Sequence, residues 1–182
     1  LEFKIALQRI NDILSAKREQ SDGFAICPNI SGGIKFENVS FKYDDQSPDN
    51  VLKNINLVIS PGQKVAFVGR SGSGKSTLVN MVNGILTPTS GRVLVDDIDV
   101  SAVDVMSLRR QIGVVEQSPF VFSGTVRENI TITNPSISYE AVVSAATLSG
   151  VHEFASNLPM RYDTRIGEGG RALSGGQQQR LI

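Results

Sequence analysis

The sequence predicts an α/β fold with an antiparallel β subdomain, a parallel α/β core and a helical subdomain. Three observations predict it. Residues 34–43 and 55–59 alternate apolar and polar with period two, the pattern of half-buried strands. Val65-Ala-Phe-Val68 is a short continuous apolar run, which suits a strand covered on both faces, and it leads straight into a glycine-rich stretch and a helix. From Thr125 onward, helix-start signals and helical spacing dominate. At 182 residues the chain is one domain, or one domain plus an appendage, and long enough to bury a core.

The elements follow in order. Phe3, Leu7, Ile10 and Leu14 step by 4, 3 and 4 residues, one face of a helix over 1–16. The charged run Lys17–Gly23 ends it, so 1–23 reads as a terminal or linker helix. Ile34 and Phe36 share one strand face and Val39, Phe41 and Tyr43 the other; the slip near Asn38 predicts a bulge. Residues 44–50 are a turn-rich loop. Ile55, Leu57 and Ile59 alternate again, and Pro61-Gly62 turns the chain. After the glycine-rich stretch a helix runs through Leu78, Val79 and Val82 to Asn83-Gly84. Val93–Val95 and Ile112–Val115 are further strands, with a short helix at Val105–Arg110 between them. Thr125 and Glu128 stand at capping-box spacing. Ser138 caps a helix through Leu148 that Gly150 closes, and Val151–Leu158 is a short helix stopped by Pro159. Ser174 and Gln177 repeat the capping-box spacing at a last helix start.

Composition narrows the functions. Eighteen Lys and Arg balance eighteen Asp and Glu, which leaves no electrostatic footprint for nucleic acid. Cys27 is the single cysteine, so no internal disulfide forms, and its surroundings carry no sign of activation. No apolar run reaches the length of a membrane span, and Leu1-Glu-Phe-Lys4 is no signal peptide. The absence of an initial Met suggests a piece cut from a longer chain.

Residues 69–77 carry the chemistry. Gly69, Gly74, Lys75 and Ser76 make the phosphate-binding loop motif in its strand–loop–helix context. Glycine lets the backbone wrap an anion, successive N–H groups form a nest, and the helix start adds positive potential. Lys75 is expected at the β- and γ-phosphates and the Ser76 hydroxyl on Mg²⁺. Ser71, Gly72, Ser73 and Thr77 complete the cradle. A second glycine-rich helix start, Ser174-Gly175-Gly176-Gln177, offers another place for an anion, which raises the question of why one domain should carry two.

Leu173-Ser-Gly-Gly-Gln177, about a hundred residues after the phosphate loop, resembles the signature motif of ATP-binding-cassette (ABC) proteins, and the resemblance extends over nearly all of 34–182. Phe41-Lys-Tyr43 resembles the family's adenine-stacking loop. Gln117, in Val114–Phe120, resembles the glutamine that touches Mg²⁺ and the attacking water. Tyr162–Gly170 resembles a stretch typical of exporters, and 1–16 resembles the helix that joins the last membrane span to the cassette.

The resemblance implies an ATP-binding domain at 34–182, with a helical subdomain near 124–163 and a linker helix at 1–23. It implies ATP and Mg²⁺ as cofactors, Tyr43 and residues 69–77 on the nucleotide, Lys75 and Gln117 as catalytic groups, and Ser76 and Gln117 on the metal. In the family two cassettes pack head to tail, so Ser174, Gly175, Gly176 and Gln177 would serve the γ-phosphate held by a second cassette. The expected partners are that cassette and a transmembrane domain, with no nucleic acid. The expected place is the cytoplasmic face of the inner membrane, and the function is ATP-driven export of a peptide, protein or lipid. The alternatives are a soluble, non-transport ABC ATPase and a degenerate cassette with a structural role.

The family's strand ending in a Mg²⁺-binding Asp, the adjacent Glu and the switch His would follow Ile182. Hydrolysis by residues 1–182 alone is therefore expected to be nearly absent, and 65–68 is expected to expose backbone that the following strand would cover. Asp96 ends an apolar run and so imitates the metal-binding Asp, but precedes the signature and reads as a turn acid. His152 reads as a half-exposed helix residue and Glu116 as a loop carboxylate.

Overall fold

The computed structural model describes residues 2–16, 19–20, 23–44, 46 and 48–182. Lys17, Arg18, Ser21 and Asp22 of the expected helix exit, Asp45 and Ser47 of the expected loop, and the side chain of Phe3 lie outside the described residues. Two compact units divide the chain, Leu1–Gly113 and Val114–Ile182.

In the first unit, α1 (Glu2–Leu14) forms where the helical spacing predicted it. Its Leu7, Ile10 and Leu14 remain exposed. Then come β1 (Ile34–Phe41), β2 (Leu52–Ile59), α2 (Lys75–Val82), β3 (Ser90–Val95), β4 (Ile98–Asp99) and α3 (Val105–Arg109). The four strands make one antiparallel sheet in the order β2-β1-β3-β4. Ile34 of β1 stands opposite Ile59 of β2 on one side and Val95 of β3 on the other.

The slip at Asn38 is a real bulge. Its φ is 50°, and the register shifts there against both neighbours. One residue's offset moves the following side chains to the other face, so Phe36, Val39 and Phe41 are all buried. The bulge also fixes Gly91, whose φ is 80°. A Cβ there would lie 2.4 Å from the Asn38 carbonyl oxygen.

Helix α2 lays Leu78 and Met81 onto the sheet with Phe36, Val93 and Val95. Each such side chain contributes roughly 1.5–3 kcal/mol when fully buried. At its C-terminal end Arg109 donates to the carbonyls of Asn83 (2.8 Å) and Gly84 (3.1 Å). Those acceptors have no partner within a helix end.

Two expectations are corrected. Val65–Val68 and Ile112–Val115 belong to no strand, and Val68 is 94% exposed. An apolar run reports a tendency to be buried, but a strand also needs a neighbour for its N–H and C=O groups. Among the described residues neither segment pairs with a strand. The exposure expected at 65–68 is what the fold displays.

Asp96 is a turn residue between β3 and β4, with φ 48°. Its carboxylate accepts backbone N–H groups from Ser31, Gly32 (3.2 Å) and Gly33 (2.7 Å). These donors, Ser31 foremost, hold its pKa below the usual carboxylate value against the opposing effect of burial. Cys27 is buried, and burial pushes its thiol pKa up, in keeping with an unactivated thiol.

The second unit contains β5 (Gly124–Thr125), α4 (Val126–Ile130), α5 (Tyr139–Ser149), α6 (Val151–Ala155), β6 (Arg165–Ile166) and α7 (Gly175–Leu181), with β5 and β6 paired antiparallel. The expected helix at 151–158 is regular only to Ala155 and continues as a turn. Both capping boxes form. Thr125 Oγ1 accepts from the N–H of Glu128 (3.0 Å), and Glu128 returns an acceptor to the N–H of Thr125 (2.7 Å). Ser138 caps α5, and Gly150 closes it in the left-handed region. Val121, Val126, Val142, Val151 and Tyr162 form the core. Asn129 is buried and fully used: its amide accepts from Phe122 N–H and donates to the carbonyls of Phe122 and Thr125. His152 is half-buried, 2.8 Å from the Tyr162 hydroxyl.

Candidate functional site

The phosphate loop lies in the first unit, between the exposed 65–68 segment and α2. Gly72 and Gly74 take positive φ values, 78° and 86°. A Cβ on Gly74 would stand 2.7 Å from Leu52 Cδ2, so this position must be glycine for two independent reasons. Gly74 is also the N-cap of α2 and supplies no side-chain acceptor. The first amides of α2 are therefore left to a ligand, in a field that favours an anion.

Lys75 folds back on this loop. Its ammonium donates to the carbonyls of Gly69 (3.0 Å) and Arg70 (2.7 Å) and to Ser73 Oγ (3.3 Å). These are neutral acceptors, which a phosphate would outcompete through charge-assisted bonds. The Ser76 hydroxyl is exposed and makes no hydrogen bond among the described residues. A lone hydroxyl beside an anion cradle suits Mg²⁺, which takes few protein ligands and completes its shell with phosphate and water.

Tyr43 stands beyond the end of β1, on the bend that follows. Its hydroxyl is 2.9 Å from Oγ1 of the buried Thr77, and its ring meets Phe41 edge to face at 4.9 Å. The residue is nevertheless 67% exposed. Anchored at both ends, it offers a flat apolar face beside the first turn of α2. A cavity of about 640 Å³ elsewhere in this unit, lined by Met81, Leu86, Val93 and Asp99 among others, includes none of the phosphate-loop residues.

The second unit holds Gln117 and the signature residues. Gln117 and Glu116 are exposed, in a segment without regular structure. Ser174 caps α7: its Oγ accepts the N–H of Gln177 (3.3 Å), and Gln177 Oε1 accepts the N–H of Ser174 (2.8 Å). Gly175 and Gly176 are exposed, and neither has a positive φ. A Cβ on either would meet nothing within 4 Å.

Sequence spacing missed several supporting side chains. Gln178 Nε2 donates to the carbonyl of Gly170 (2.9 Å) and to those of Gly169 and Leu173 (3.3 Å each), which holds the loop that leads into the signature. Gln179 Nε2 donates to the carbonyl of Gln117 at 3.3 Å. Arg109 binds Glu19 as well as the end of α2. The unbroken run Gln177-Gln-Gln-Arg180 was the visible signal for the first two; nothing local announced Arg109.

Comparison with known proteins identifies the family. Residues 52–182 match the ABC transporter family. The chain is 46% identical to the cyclolysin secretion/processing ATP-binding protein CyaB of Bordetella pertussis, over 97% of its own length and 25% of that protein. It is 44% identical to the leukotoxin export ATP-binding protein LtxB of Aggregatibacter actinomycetemcomitans, with the same coverage. The chain thus spans about a quarter of the length of these curated relatives. Among solved structures it resembles a bacterial Atm1-family ABC exporter with ATP bound, with a TM-score of 0.87 and 32% identity over 97% of this chain and 31% of that one. A glycine-built phosphate loop, an exposed aromatic anchored beside it and a capped signature helix thus occur in a chain that belongs to the ABC transporter family.

Proposed function

We propose that this chain is the ATP-binding part of an ABC exporter and couples ATP binding and hydrolysis to export of a substrate across a membrane. In this reading 1–23 is a linker helix from a transmembrane domain, 34–182 is the ATP-binding domain, and about 124–163 is its helical subdomain. The exposed apolar seam of α1 supports the linker assignment, since a helix without cover in its own unit has surface to spare for another domain. The site works at the cytoplasmic face of the inner membrane. Relatives named for cyclolysin secretion and leukotoxin export favour a protein or peptide among the peptide, protein and lipid substrates.

Residues 69–77 bind the triphosphate. The amides of the loop and the first turn of α2 hold the β- and γ-phosphates, and Lys75 exchanges its loop carbonyls for phosphate oxygens. Tyr43 stacks on adenine. Ser76 and Gln117 ligate Mg²⁺, which supplies charge neutralisation on the phosphate oxygens. Gln117 also orients the water that attacks the γ-phosphate. Ser174, Gly175, Gly176 and Gln177 bind the γ-phosphate held by a second, head-to-tail cassette.

One observation carries the two-subunit reading. Gly175 and Gly176 are demanded neither by backbone conformation nor by neighbours in the chain. Both sit in the first turn of α7 with open space above them, which leaves room for an anion to approach the helix start from outside. The test is disulfide crosslinking in the full-length protein, with Cys27 replaced and cysteines at Ser71 and Ser174. ATP should produce a crosslink between subunits. A bond within one subunit would refute the composite site.

A further inference from the structure

We propose that Gln179 is a positioning residue: by holding the main chain of Gln117, it links the signature face of a subunit to that subunit's own hydrolytic site. The proposal rests on the composite-site reading above and adds a route between the two sites.

The argument begins with the run Gln177–Arg180. Successive side chains on a helix point about 100° apart, and here each reaches a different segment. Gln177 closes the capping box with Ser174. Gln178 holds the carbonyl of Gly170 at 2.9 Å. Arg180 reaches the carbonyl of Gly150 and the carboxylate of Glu153, both at 3.3 Å. These three contacts stay within the helical packing around α7. Gln179 instead donates to the carbonyl of Gln117, 62 positions away in sequence and 3.3 Å away in space.

The 114–120 segment has no ladder to fix it. Among the described residues, the Gln179 bond is the hydrogen bond that ties it to the rest of its unit. The peptide that follows Gln117 is therefore anchored from α7. The N-terminus of α7 is the end that would meet the partner's γ-phosphate. A helix of two turns moves as a rigid piece, so a shift imposed at Ser174 is felt at Gln179 and passed to Gln117. By thermodynamic reciprocity, occupancy at the Gln117 site also biases α7 toward or away from the partner's phosphate.

The bond requires a donor with the reach of glutamine. Gln179→Met keeps length and lacks charge and donor; Gln179→Lys restores a donor of similar reach. The assay is steady-state ATP hydrolysis by the full-length protein in lipid, as a function of ATP concentration. Gln179→Met should lower kcat by about 2- to 10-fold, the effect of losing one neutral hydrogen bond. KM should stay within about twofold, and the Hill coefficient should fall toward one. Gln179→Lys should recover both the rate and the cooperativity. A Gln179→Met protein that matches the wild type overturns the proposal. So do Met and Lys variants equally impaired with equal losses of unfolding midpoint, since the residue would then serve packing alone. Ser174→Ala separates the two layers. If it leaves rate and Hill coefficient unchanged, the composite-site reading fails; if it abolishes both while Gln179→Met changes neither, only the Gln179 link fails.

Discussion

The phosphate loop and the signature helix are both glycine-rich helix starts, yet their glycines are there for opposite reasons. At the phosphate loop the chain itself demands them. Gly74 has a left-handed backbone and would clash with Leu52 if it bore a Cβ, and Gly72 is left-handed too. At the signature, Gly175 and Gly176 have ordinary helical backbones and empty space above them. The caps differ in the same sense. Gly74 leaves the first amides of α2 free for a ligand, whereas Ser174 and Gln177 close the start of α7 in each other's hydrogen bonds. The first site is shaped from within. The second satisfies two of its end amides with its own side chains and leaves those of Gly175 and Gly176 open among the described residues. A glycine that its own chain does not require points to a requirement imposed from outside.

The strongest way to break this contrast is to compare Lys75→Ala with Ser174→Ala. Charge-assisted bonds contribute roughly 1.5–3 kcal/mol each, so Lys75→Ala should weaken ATP binding about tenfold or more in a fluorescent-nucleotide titration. Ser174→Ala should leave binding to an isolated subunit nearly unchanged and remove ATP-driven association. Equal losses of binding in both variants would erase the distinction.

Next in size is stability. Gly74→Ala should lower the unfolding free energy by about 1–3 kcal/mol, the usual range for a side chain forced into a strained conformation. Gly176→Ala should leave it unchanged or raise it by up to about 1 kcal/mol, at the expense of association. Urea denaturation reads both, and destabilisation by Gly176→Ala would show that the chain does require that glycine.

The caps sharpen the comparison further. Thr125→Ala and Ser174→Ala each delete a capping acceptor and should each cost about 1 kcal/mol, but only the latter should also weaken association. The smallest effect is the pH dependence of the Asp96 contact. Its folded pKa is lowered, chiefly by the Ser31 N–H, so its contribution is present above the unfolded value of about 3.9 and lost as pH falls through the folded value. Unfolding midpoints measured from pH 7 down to pH 3 should fall less steeply for Asp96→Asn than for the wild type. Parallel curves would mean that the carboxylate's charge is not what holds residues 31–33.

Much of this architecture was legible because it is written over three or four residues. The bulge at Asn38 shows as a slip in alternation, the Thr125 and Ser174 boxes as a hydroxyl three positions before Glu or Gln, and the end of α5 as Gly150. The phosphate loop shows as glycines spaced around Lys75. The strand reading of Val65–Val68 failed because hydrophobicity records a preference for cover and says nothing about who provides it. Asp96 was legible as a turn acid, but not as the acceptor for amides 63–65 residues earlier.

Short-range chemistry alone dictated the helix starts, the bulge, the anion cradle and the family resemblance, because each depends on neighbours already adjacent along the chain. Folding in three dimensions decided the rest: Arg109 at the end of α2, the amides on Asp96, Gln179 on the Gln117 carbonyl, and the open space above Gly175 and Gly176. Those depend on which distant groups come within about 3 Å of one another, a matter of sheet register and core packing that no local pattern encodes.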